Sequence, residues 1–585
     1  MHRLLNTYRE KVNGPILAFQ CLALYVLVLF WTAVGYVSNI AFFVQNSFIA
    51  ALMSVFLCTY FVYRYTTDKG TDIKRVLFSY FHFLLVFALL LLTSVFIWDN
   101  SHDGQTYHLQ AIHELINGWN PFRTFLGNEI PNAVYINHYA KAFEIFGSSI
   151  TQFTGMFETS KVSNLLVALA AWLLTFSYLK KHLNLHHRKA FIYSSLLILN
   201  PIISTQLFAF MFDGQVASLF LILIIGFLLI AKQQKLGYWL WLTGILLLAS
   251  LKFTGLVYVC LFVPAGLGYL LYSRNKPLVR RFLLINILGM IAGIFIAANP
   301  YYTNISSGHH IFHPLMGKEA INIMVGANAP KSFDTKNRVQ KFIIANSSKS
   351  SNVHGSSVTP EPELKLPYQV TLKEWTVFKS VSVLYGGMGP LFWAILILSV
   401  ILLLLLVIYR VPLPRAFIFL LAFITISIFI IPECWLSRYV PQLWYLPILL
   451  IVFYESQAKK VSAIRILKTV NLGLIGINGI FILGIAVGSN LIISQQMRNE
   501  YVWLQKMRTP VKVIPNDFIS TAYRLDAYHI PYTNVPASDT SAQKYLQFKP
   551  ICSSSIILLN EQTPPYTPGT FFKFLESYVK QEKSH

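Results

Sequence analysis

The 585-residue sequence predicts an all-α polytopic membrane protein with about 13 transmembrane helices, amphipathic helices in its first large outer loop and a small C-terminal α/β appendage. Three observations predict it. Hydrophobic residues make up 55% of the chain and charged residues 12%, about half the charge of an ordinary soluble domain. Apolar runs near the length that crosses a bilayer recur from end to end. The lysines and arginines between those runs gather in alternate loops.

A helix needs roughly 20 apolar residues to cross the hydrocarbon. Runs near that length lie at 15–36, 40–63, 76–97, 162–179, 190–211, 214–231, 236–251, 254–273, 282–299, 386–409, 416–432, 441–455 and 466–493. The shortest, such as 441–455, also fit re-entrant segments. The first run holds Ala33-Val34-Gly35, a triplet that suits signal cleavage, but its apolar stretch exceeds the roughly 7–15 residues of a signal peptide, so an uncleaved span is expected. With the N-terminus in the cytoplasm, the cytoplasmic loops hold 23 Lys and Arg, whereas the opposite short loops hold 5: Arg123, Lys141, Lys161, Lys252 and Arg438. That asymmetry places 98–161, 300–380 and 495–585 outside. It also accounts for the net charge of +23, so no nucleic-acid partner is expected. Five cysteines without a CxxC spacing exclude a disulfide scaffold, a zinc ribbon and a thioredoxin-like motif.

The expected organisation is an N-terminal helical hairpin (1–75), a transmembrane module (76–299) with outer loop 98–161, a large outer loop (300–380), C-terminal transmembrane helices (381–494) and a soluble appendage (495–585). In the appendage, strand-like runs at 511–514 and 555–559 and a helical stretch at 570–579 are expected.

Polar residues at the outer rim carry the functional reading. The third span is followed by WDNSHDGQTYHLQAIHELINGWNPF, which puts Asp99 and Asp103 close to the membrane surface. From Asp103 the pattern turns helical, with Ile112, Leu115 and Trp119 in an apolar stripe and Asp103, Tyr107 and Glu114 on another face. A second amphipathic stretch, 139–150, lines up Ala142, Phe143, Phe146 and Ile150. Helices lying on the outer leaflet are the simplest expectation. Asp213, in FMFDGQVASL, recurs in the same DGQ context as Asp103 and on the same side of the membrane. Each carboxylate has a competing reading as a helix N-cap. As a pair at the rim, they can divide base work from metal or phosphate handling. Lys252 and Arg438 bring positive charge to the headgroup level, where a lipid-borne phosphate needs it, against a competing reading of Lys252 as a snorkelling residue. His309 and His313 have an i, i+4 spacing that suits zinc, but the sequence offers no third ligand.

The spacing around Asp103 resembles that of the GT-C superfamily of polyprenol-dependent membrane glycosyltransferases, in particular the aminoarabinose transferase and protein O-mannosyltransferase group. Tyr107 lies four residues after Asp103, Gly118 fifteen after it, and Pro121 follows; the DxxxYH form with Asn137-His138-Tyr139 is similar to bacterial members. The resemblance runs over roughly 76–455 and departs from the pattern at Gly104, where the family has a second acid, and in the extra hairpin at 15–63. It implies a GT-C-like fold and an inverting glycosyltransferase in the cytoplasmic (inner) membrane of a bacterium. Such an enzyme moves a sugar from a polyprenyl-phosphate donor to an envelope glycan, lipid or protein acceptor on the extracytoplasmic face. By resemblance, Asp103 and Asp213 are catalytic, Lys252 and Arg438 bind the donor phosphate, and Asp99, Tyr107, His108, His138 and Tyr439 bind substrate. A divalent cation is left open, with Asp103, Asp213, His309 and His313 as candidate ligands. The alternatives are an oligosaccharide ligase or polymerase, disfavoured because Arg338 is the sole arginine in 300–380, and a lipid-linked sugar transporter or flippase, which calls for an internal repeat that the sequence lacks.

Overall fold

The computed structural model describes residues 13–66, 72–323, 329–352, 359–457, 461–507, 510–515, 518–536, 546–559 and 566. The helix expected at 570–579 lies outside them. Among the described residues, 8 helices are long and apolar enough to cross a membrane, and the protein is an α-helical membrane protein.

The spans begin with α1 (Gly14–Ser38), α2 (Ser47–Thr66) and α3 (Ile73–Phe96). Two helices of the first large loop follow, α4 (Leu109–Ile116) and α5 (Ala142–Thr154). The bundle continues through α6 (Val162–His182), α7 (His187–Ile198), α8 (Asp213–Ala231), α9 (Lys235–Leu251), α10 (Phe253–Tyr272) and α11 (Lys276–Ile296). After the large loop come α12 (Phe392–Ile408), α13 (Arg415–Phe429), α14 (Tyr445–Glu455) and the 44-residue α15 (Ser462–Gln505). Every apolar run read from the sequence is helical over most of its length. The fifth is α7 continued by a short helix, Pro201–Gln206.

Caps set where several spans begin. Asn13 accepts from the Ile16 amide ahead of Pro15, Asp72 accepts from the Lys74 amide, and Asn275 accepts from the Leu278 amide ahead of Pro277. The bundle sorts its helices by what surrounds them. α1 and α8 are buried in protein almost throughout. On α3, Leu85, Leu89, Leu92 and Phe96 form an exposed stripe at helical spacing, and α11 exposes Leu284, Ile287, Ile291 and Ile294; these are lipid-facing rows.

The amphipathic helices of the first loop form, but their stripes turn to protein. On α5, Phe146 packs against Tyr25 of α1 with ring centroids 4.4 Å apart, and Ser149 exchanges a 2.7 Å hydrogen bond with Ser47. An apolar stripe signals burial without naming the partner, and here the N-terminal helices supply the wall that the leaflet was expected to provide.

The basic loops share one end of the bundle. Glu455 pairs with both Lys189 and Lys468, Lys232 donates to the His182 carbonyl, and Arg415 donates to the Tyr272 hydroxyl. At the opposite end α15 runs on into the appendage. Its four strands, β1 (Val511–Ile514), β2 (Tyr532–Asn534), β3 (Leu546–Phe548) and β4 (Ile556–Leu559), are ordered β2-β1-β4-β3. β1 is parallel to β2, while β4 is antiparallel to both β1 and β3. Val511, Val513, Ile557 and Leu559 bury one face against Met497, Tyr501 and Leu504 of α15 and against Trp98. One helix, α16 (Ser520–Ala527), joins this layer.

Candidate active site

Four breaks in helical structure meet at the appendage end. Asp103 precedes a single π-helical turn, Gly104–His108, that runs into α4. Such turns recur at functional sites because their widened backbone redirects side chains. Asp213 opens α8. Lys252 is the one extended residue between α9 and α10, with φ −160° and ψ 150°. Arg438 lies in a short 3-10 turn, Ser437–Tyr439. All four line one cavity of about 910 Å³, together with Tyr107, His108 and Tyr439. That is the upper range for a small-molecule site.

Neither carboxylate is a helix cap. The Asp103 side chain makes no capping bond to the π-helical turn. α8 is capped instead by Gln206, whose Oε1 accepts from the Gly214 amide at 2.9 Å. Both acids face cations. Asp213 is ion-paired with Lys252 and accepts from Gln206 Nε2 at 3.2 Å. Asp103 lies 3.5 Å from His102 Nδ1 and 3.8 Å from Arg438 Nη1. Burial pushes the Asp103 carboxyl up, but the His102 hydrogen bond and the charges of Arg438 and His108 outweigh it and hold it down at about 2. The cations in turn share an aromatic ring: Lys252 Nζ is 4.7 Å and Arg438 Cζ 5.3 Å from the Tyr439 ring centroid. Arg438 is bonded to Ser382 Oγ at 3.2 Å, while its buried Nε has no hydrogen-bond partner among the described residues. A buried, unpaired guanidinium N–H is costly, and an anion in the cavity satisfies it.

Four of the residues named from the sequence, Asp99, His138, His309 and His313, do not line the cavity. Asp99 is buried behind the π-helical turn, where Oδ1 accepts from the Ser101 amide, the Ser101 hydroxyl and the Phe210 amide. Burial, reinforced by the Glu158 charge, raises its carboxyl to about 6. It also explains Gly104. A Cβ there would stand 2.5 Å from Asp99 Oδ2 and 2.3 Å from Ser101 Oγ, so no acidic side chain fits beside Asp103. His138 lies beside the cavity rather than in its wall, grouped with His309 and His313, and it supplies the third histidine that the sequence spacing lacked. Burial, with a smaller effect from His313 and His309, holds its imidazole down at about 4.

His108 is buried, with Nδ1 2.6 Å from Glu144 Oε1, and so fastens the π-helical turn to α5. Sequence reasoning missed His102, Ser382, Tyr139 and Glu433, which also line the cavity. His102 and Tyr139 had a signal, since each adjoins a residue singled out; Ser382 and Glu433 had none, because distant loops bring them in. Arg338 donates to the Phe429 carbonyl and is absent from the lining. As to metal, each rim carboxylate already faces a cationic side chain, and no second acid stands beside Asp103 at position 104.

No family model matches the chain, and no curated protein matches it. Among solved structures it is similar to the crystal structure of ArnT from Cupriavidus metallidurans bound to undecaprenyl phosphate. The identity is 11%, the match covers 83% of this chain and 98% of that chain, and the TM-score is 0.42. A likeness at that score carries no weight for function; the cavity does.

Proposed function

We propose that the protein is a membrane glycosyltransferase of GT-C type, moving a sugar from a polyprenyl-phosphate donor to a cell-envelope acceptor on the extracytoplasmic face of the inner membrane. The observation that carries this reading is the cavity itself, in which Lys252 and the unpartnered N–H of Arg438 converge beside Asp103. Two cations in one cavity suit a phosphate, and a neighbouring carboxylate suits the hydroxyl or amine that attacks the sugar.

In this reading the acceptor attacks the anomeric carbon from the side opposite the phosphate. The bond from that carbon to the phosphate oxygen breaks, and polyprenyl phosphate leaves with the electron pair. Lys252 and Arg438 stabilise the charge that gathers on the leaving oxygen. Asp103 orients the acceptor and takes its proton. Because Arg438, together with the His102 hydrogen bond, holds the free carboxylate at low proton affinity, a donor phosphate that engages Arg438 raises that affinity and makes Asp103 a better base. Donor binding thus primes the acceptor side. Asp213 holds Lys252 in place between the two helices that it joins.

The test has two parts. Lipid extracted from detergent-purified protein, read by mass spectrometry, is expected to contain a polyprenyl phosphate. Envelope glycans of a deletion strain are expected to lack one sugar that the parent has. An unchanged set of envelope glycans, with no such lipid bound, removes the reading.

A further inference from the structure

Beside the cavity, three imidazoles from two loops that are far apart in sequence come together. His138 ends a short helix, Ala133–His138, in the first large loop; His309 and His313 lie in the second, just after the helix Ala298–Ser306. One ligating nitrogen from each falls within 4.8 Å of the others. The rings of His309 and His313 are stacked 4.3 Å apart, and the His138 ring meets that of His313 edge-on at 4.5 Å.

The hydrogen bonds around the group fix which nitrogen is free. Asn304 is fully buried, and its Nδ2 donates to the carbonyls of Ile311 and His313. Carbonyls only accept, so the amide nitrogen faces them and Oδ1 faces His138 Nδ1 at 2.7 Å. His138 therefore carries its proton on Nδ1, which leaves the lone pair of Nε2 as its ligating site. A histidine whose second nitrogen donates to a buried side-chain oxygen is the usual supporting arrangement of a metal-bound imidazole. On the third member, His309 Nδ1 lies 3.5 Å from Glu319 Oε2.

We propose that His138, His309 and His313 form a tri-imidazole site for a divalent transition-metal ion of the zinc class, which clasps the first large loop to the second beside the cavity. Three neutral nitrogen ligands suit zinc, copper or nickel rather than magnesium or calcium, which prefer oxygen. Nitrogens around a tetrahedral zinc lie about 3.4 Å apart, given zinc–nitrogen bonds of about 2.0–2.1 Å. Side-chain rotation of the two loop histidines closes the remaining gap. The site flanks Tyr139 and Leu315, both of which line the cavity, so the ion fixes the cavity wall without entering it. The inference stands apart from the transferase reading, since its measurement is metal binding.

Full-length protein, purified in detergent through a tag without histidines and stripped with a chelator, is titrated with Co(II). One equivalent is expected to bind with the visible absorption of a tetrahedral ion, and Zn(II) is expected to displace it. His309→Ala and His313→Ala are expected to abolish that absorption, Asn304→Ala to weaken binding by about 10- to 100-fold, and His310→Ala, at an exposed neighbour, to leave it intact. Thermal unfolding in chelator shows whether each variant keeps its fold. Absence of the Co(II) spectrum in the wild-type protein overturns the site whatever the variants do, and so does a spectrum that survives in well-folded His309→Ala and His313→Ala.

Discussion

Asp103→Asn separates a chemical role from a structural one, because asparagine keeps the size of the side chain and cannot take up a proton at neutral pH. The Asp103 side chain caps nothing, so expression and donor binding are expected to be normal, while transfer falls by about 10²-fold or more in a radiolabelled-sugar assay. Lys252→Ala is expected to weaken donor binding by about 10- to 150-fold, with Lys252→Arg keeping part of it; titration of the purified protein with donor lipid checks this. Asp99 gives a pH-dependent prediction. Its folded-state carboxyl stands at about 6, above the ordinary aspartate value, so the folded state holds the proton more tightly than the unfolded chain does. Stability from this group is full below about pH 4, is lost as the pH rises through about 6, and stays lost above it. Asp99→Asn preserves the three bonds accepted by Oδ1 and removes the buried charge. Its melting temperature is expected to exceed that of the wild type at pH 7.5, by the equivalent of up to about 3 kcal/mol, with the gain vanishing near pH 4. An equal or lower melting temperature at pH 7.5 contradicts that account of Asp99.

The π-helical turn joins the appendage to the cavity. Its Gln105 donates to the Cys552 carbonyl at 2.9 Å and accepts from Ser520 and Arg524, and Arg524 also donates to the Asp99 carbonyl at 3.0 Å. Gln105→Ala strands these buried groups. It is expected to lower stability by about 1–3 kcal/mol and to reduce the turnover rate more than donor affinity, as read by thermal unfolding alongside a transfer assay. Elements of this kind divide sharply in how far the sequence reveals them. The spans were legible because a run of some twenty apolar residues has one explanation, and β1 and β4 because short apolar runs between turn residues have few. The partner of α5 was not legible, since Phe146 and Ile150 look the same whether they face lipid or α1. Asp103, Asp213, Lys252 and Arg438 could be nominated one by one as charges at the rim. Their meeting in one cavity, and the meeting of His138 with His309 and His313, depend on tertiary contacts between segments that are not neighbours in the sequence.

For the whole molecule, the gathering of Lys and Arg loops at one end and the cavity at the other predicts opposite exposure across the membrane. Asn128 and Lys336 are exposed at the cavity end and Ser273 at the basic end. In a background without the 5 native cysteines, Asn128→Cys and Lys336→Cys are expected to react with an impermeant maleimide in intact spheroplasts, and Ser273→Cys only after lysis. The reverse pattern inverts the topology and moves the proposed chemistry to the cytoplasm. The appendage's grip on the π-helical turn also has a consequence in time. Asp103 leaves the ribosome early, but Arg524 and Ser520, which hold Gln105 beside it, are made more than 400 residues later and reach that end only after α15 has been inserted. A nascent chain therefore carries every rim charge before it carries the brace that sets their geometry, and on the proposed reading half-made copies in the membrane are expected to leave a lipid donor untouched.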